Sequence, residues 1–69
     1  MDVLQFLRVN PVQDLDMSTL RCLEDLCKVW LKKYSTSELL ACEEYMKVFG
    51  TEIKDYEEAL DNIQWELTR

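Results

Sequence analysis

From Ser18 to Tyr34, apolar residues recur at Leu20, Leu23, Cys27, Trp30, Leu31 and Tyr34, the three-and-four spacing of one helix face. Cys22, Leu26 and Val29 fall on the adjoining flank, so apolar groups cover roughly 200° of the circumference, more than a one-sided surface helix needs. Such a helix is central, or it binds something. The cleanest pattern lies between Thr51 and Leu67, where Ile53, Tyr56, Leu60, Ile63 and Leu67 step by 3, 4, 3 and 4, as in an a/d seam. Thr51 is the expected cap of that helix.

Between these two, Ser35-Thr36-Ser37-Glu38 has the form of a capping box. It predicts a separate helix that runs to Phe49 and ends at Gly50 in the left-handed conformation. Ahead of them, residues 2–9 read as a short helix capped by Asp2, with Val3, Phe6 and Leu7 on one face. Asn10-Pro11 stops it. Residues 11–17 form a connector with Val12 and Leu15 on the core, and Asp16 or Ser18 caps the helix that follows. No strand alternation, internal repeat or low-complexity stretch occurs. The expected architecture is all-α: a small bundle of three main antiparallel helices plus a short N-terminal helix, forming a single domain over residues 1–69.

A chain of 69 residues is near the size at which one core only just outweighs chain entropy, so a partner or a second copy would add needed stability. Charge is unevenly spread. Residues 43–69 hold eight acids against three bases, a balance of -5, whereas residues 1–42 hold six against five, -1. An acidic field of this kind repels phosphate backbones and steers basic surfaces inward. Arg21, Lys28, Lys32 and Lys33 give the helix from Ser18 a basic edge, but Glu24 and Asp25 beside them read as ordinary helix-surface pairing. Direct nucleic-acid binding is therefore disfavoured.

Catalytic chemistry is disfavoured too. The chain has no histidine, and no carboxylate or lysine can be assigned the burial that would tune it for acid-base work. One glycine is too few for a phosphate-cradling loop. Three cysteines without histidine or CxxC spacing do not make a zinc site. Cys22 and Cys27, five apart, point about 140° from each other on one helix and cannot easily bridge. They and Cys42 read as free thiols in a reducing compartment. No cofactor or metal is expected. The start of the chain lacks the pattern of a signal peptide, and no apolar run reaches about 18 residues. The expectation is a cytoplasmic protein without a membrane partner.

The residue that points to function is Trp65. With the Ile53–Leu67 seam buried, Trp65 projects to the opposite side, beside Lys54, Glu58, Asp61 and Asn62, and tryptophan is enriched among residues that carry binding energy at interfaces. Glu52 and Asp55 extend the acidic surface. A second candidate surface, a dimer seam or partner groove, combines Cys22, Leu26 and Val29 with Ala41, Tyr45 and Val48.

Short stretches resemble two kinds of small bacterial regulator. Ser37-Glu38-Leu39-Leu40, Tyr45, Lys47 and Asp55-Tyr56 look like the helical hairpin of the sporulation histidine-kinase inhibitor, over about 30 residues. Leu7-Arg8, Thr19-Leu20, Glu38-Leu39 and Trp65 to Arg69 are similar to the hemolysin-expression modulators, without that family's Ala-Asp-His-Arg segment. Leucines at helical spacing carry both matches, so neither assigns a family. Both resemblances imply regulation by docking on a larger protein.

The expected function is that of a small protein-binding regulator, inhibitor or accessory subunit, whose partner presents a basic surface. Two alternatives differ in their tests. A nucleic-acid mimic built on Glu52, Asp55, Glu58, Asp61 and Glu66 would fail on charge reversal and tolerate Trp65→Ala. A structural homodimer would be split by a polar group at Leu26 or Val29.

Overall fold

A computed structural model describes residues 2–69. Its elements are α1 (Val3–Val9), a 3-10 turn (Val12–Asp14), α2 (Met17–Tyr34), the single-turn α3 (Ser37–Leu40) and α4 (Glu43–Thr68). The molecule is all-helical, with three main helices and, among the described residues, no strand.

The helix starts follow local side-chain chemistry. The Asp2 carboxylate accepts from the Gln5 backbone N–H at 2.8 Å and opens α1. Asn10 closes it, donating to the Phe6 carbonyl through both its backbone N–H (2.9 Å) and its side-chain amide (3.1 Å). Asp16 caps α2, accepting from the Thr19 N–H at 3.0 Å. Hydrogen bonding from the Thr19 side chain first, and from this backbone N–H second, holds the Asp16 carboxyl below its ordinary value.

Two expectations are corrected in the second half. Ser35 does not open a capping box. Its backbone N–H and its hydroxyl both donate to the Leu31 carbonyl, so it closes α2, and the cap of the next turn passes to Thr36, which accepts from the Leu39 N–H at 3.3 Å. Nor does a helix end at Gly50 with a new one capped by Thr51. The chain breaks earlier, where Cys42 is extended, and α4 then runs unbroken for 26 residues through Phe49, Gly50 and Thr51. Gly50 has no positive φ. The break at Ala41–Cys42 follows no local breaker residue. It is where the chain must reverse for α4 to lie on α2, and the Tyr45 hydroxyl, donating to the Tyr34 carbonyl, ties the two helix ends together there.

The α2–α4 contact is the most extensive in the fold. The core is Val3 of α1, Leu20, Leu23 and Cys27 of α2, and Tyr56, Ala59 and Ile63 of α4, with Leu60 and Leu67 packed on its edge as the seam predicts. Ile53 is buried as well. Trp30 stacks on Tyr56 with ring centroids 4.0 Å apart and planes 8° from parallel. Contacts at both ends give the directions. Tyr45 meets the end of α2, while Glu24, early in α2, lies with Gln64 and Leu67. So α4 is antiparallel to α2. Asp2 lies with Val48 and Glu52, and Val12 with Asn62 and Trp65, so α1 runs alongside α4 in the same direction.

The result is a slender body, 37 × 21 × 18 Å, with a radius of gyration of 12.8 Å. A compact chain of this length has a radius near 11 Å. Its accessible surface of 5180 Å² likewise exceeds the roughly 4,600 Å² typical of a folded monomer of this mass.

Candidate protein-binding surface

The outward side of α4 is built by helix periodicity. Because Tyr56, Ala59 and Ile63 face the core, Lys54, Glu58, Asp61 and Trp65 face away from it, and all four are exposed. Trp65 is 61% exposed. The helix does not fray before it, since α4 continues to Thr68, and α1 packs along the α2–α4 junction instead of folding over it. One contact steadies the ring from the C-terminal side, where the Arg69 guanidinium sits 5.6 Å from its centroid. Shallow depressions flank it, one with Asp61, Gln64 and Thr68, the other with Val12 and Gln13 of the connector.

Glu52 and Asp55 separate from that group. Both are half-buried and turn toward α1, where they line a groove with Asp2, Leu4, Gln5, Arg8, Val48 and Thr51. Glu58 stands on the ridge between the groove and the Trp65 face, lining the groove's continuation with Leu7, Arg8 and Asn62. Arg8 is the only base on these walls. Among the described residues the ion pairs are Lys28–Glu24 at 3.8 Å and Arg69–Glu66 at 3.5 Å, so the carboxylates of Glu52, Asp55, Glu58 and Asp61 are free of any. Of these, the Glu52 charge reaches the core edge. The Tyr56 hydroxyl is pushed up by burial first, then by Asp2, Cys27 and Glu52, with the Val3 backbone opposing. Tyr45 is pushed up by burial, then by Tyr34 and Glu52.

The second candidate surface does not form as one. Cys22, Leu26 and Val29 are exposed together on the outer flank of α2. Tyr45, however, is engaged with Tyr34 and packs on Phe49 at 4.9 Å. Val48 lies in the α1–α4 groove, while Leu26 lines a different depression between α1 and α2. The start of α1 occupies the place where Leu26 and Val48 would have met. The groove roles of Asp2 and Arg8 were not found by sequence reasoning. Ala59, small and in register with Asp55 and Asn62, was the available signal that another helix approaches that side of α4.

Cys27 is fully buried, and burial raises its thiol to about 11, which makes it inert. Cys22 and Cys42 are exposed. Among the described residues no group of three or more metal-ligating side chains comes together, and no helix is long and apolar enough to cross a membrane. No protein-family model matches the chain, and neither a curated protein nor a solved structure does.

Proposed function

We propose that this chain is a protein-binding module that docks on a larger protein through the outward face of α4, with Trp65 as the anchor. The observation that carries the reading is a tryptophan 61% exposed on a well-formed helix, with the unpaired carboxylates of Glu58 and Asp61 beside it. Burying an indole of this size supplies binding energy, and truncating such an anchor costs about 2 kcal/mol or more. The carboxylates supply direction. They steer a basic surface toward the ring, and added salt slows the encounter. The slender shape and excess surface support the same reading, because eight large hydrophobic side chains among the described residues stay exposed. The action on the partner is occlusion or recruitment.

Co-purification from native extract tests this. Tagged wild-type protein should carry one stoichiometric protein that both Trp65→Ala and Glu58→Lys/Asp61→Lys lose. Retention of the same partner by both variants contradicts the reading. Loss with the charge reversal alone would favour a nucleic-acid mimic.

A further inference from the structure

The outer flank of α2 carries a second seam that, among the described residues, no other element covers. Cys22, Leu26, Val29 and Lys33 recur at steps of 4, 3 and 4, on the side of α2 away from Leu20 and Cys27. Leu26 is 50% exposed and Val29 65%. The apolar surface continues onto α1. Leu26 shares a depression of about 130 Å³ with Phe6, and Val9, 77% exposed, follows Phe6 one turn further along.

We propose that this strip is the seam of a homodimer in which α2 of a second copy packs antiparallel on α2 of the first. Charge selects both the occupant and its direction. On helix geometry, Asp25 and Lys32 lie on one flank of the seam, and Thr19 and Trp30 on the other. An antiparallel pair with its two-fold axis near residue 28 sets like flanks against each other in opposite directions. Asp25 of each copy then meets Lys32 of its mate, making two ion pairs. The two Lys33 ammonium groups lie about 15 Å apart along the axis. A parallel pair would place Lys33 against Lys33 and leave Asp25 facing uncharged residues. The antiparallel arrangement also brings both α1 helices to one side of the seam, where Val9 adds apolar area. A contact along 18 residues of α2, with α1 added, is at the lower end of stable interfaces, about 1,200 Å² in total. The dimer should therefore dissociate on dilution.

Sedimentation equilibrium under reducing conditions tests this, and none of its variants alters the Trp65 face of α4, so it can fail independently of the docking reading above. The wild type should move from 8.3 kDa to twice that mass as concentration rises. Leu26→Lys should stay at the lower mass with its helical circular dichroism unchanged. Asp25→Lys should weaken the dimer at least about tenfold, and adding Lys32→Asp should restore it. With Cys22 and Cys42 replaced by serine, Val29→Cys, near the axis, should form an intermolecular disulfide readily. Native Cys22, about 18 Å from its mate along the axis, should not. A monomer at every concentration overturns the proposal. So does a dimer indifferent to Leu26→Lys and the charge swap, or one that Cys22 cross-links as fast as Val29→Cys does.

Discussion

Replacing Gly50 with alanine should make this protein more stable, and the sign of that change depends on the path of the backbone. In the fold, Gly50 lies inside α4 without a positive φ, and a methyl group added there meets only the end of the Met46 side chain at 3.5 Å, an ordinary contact. Nothing clashes, so the intrinsic preference decides. Alanine is favoured over glycine in a helix interior by about 0.8–1.0 kcal/mol. Unfolding entropy of about 2.1 cal/mol/K per residue gives this domain about 145 cal/mol/K, so the melting temperature should rise by about 5–7 °C. Thr51→Ala is the companion. As an exposed interior position it should gain a few tenths of a kcal/mol on propensity, whereas loss of a true helix cap would cost about 1 kcal/mol. Thermal melts followed by far-ultraviolet circular dichroism, checked against urea midpoints, read both changes. A fall in melting temperature for Gly50→Ala would refute a continuous α4 and place a left-handed turn at residue 50.

Thiol titration with a disulfide reagent at neutral pH should show two fast cysteines, Cys22 and Cys42, and a third that reacts only in denaturant, because Cys27 is buried with its thiol held near 11. Trp65→Phe should shift tryptophan emission to the blue and sharply reduce acrylamide quenching, since it leaves only Trp30, half-buried against Tyr56. Asp16 titrates below its ordinary value of 3.8 in the fold, so the stability it contributes is present above that pH and is lost as pH falls through the lowered value. Acid unfolding curves of wild type and Asp16→Asn, which keeps a capping oxygen without the charge, should therefore converge as pH falls through that lowered value. Curves that keep a constant separation down to pH 2 would contradict the assigned cap.

Much of the fold was legible because its signals are local. Asp2 and Asp16 cap through their own side chains, and the Tyr56–Ile63 seam follows directly from helix periodicity. Ser35 and Gly50 misled for a shared reason: each residue type permits a helix boundary without requiring one. The Ser35 hydroxyl turned back to Leu31 instead of forward. Gly50 stayed helical because Ile53 and Tyr56 beyond it are fixed in the core, and the reversal had already been made at Cys42. Within the candidate site, the outward direction of Trp65, Glu58 and Asp61 was legible once the seam was known. The turning of Glu52 and Asp55 toward a groove was not, since it depends on where α1 docks. The joining of Tyr45 and Val48 to the Leu26 flank failed on the same tertiary fact.

The central claim is that Trp65 touches a partner protein, and site-specific photo-cross-linking in the native cell tests it most directly. A photo-reactive phenylalanine derivative placed at position 65 should capture one protein, and the same protein should be captured from position 61. A control at Gln13, exposed at the margin of the surface, should capture it weakly, and one at Lys47, on the far stretch of α4, should not capture it at all. Equal capture from all four positions, or none from 65 while another surface yields a discrete product, would contradict the account.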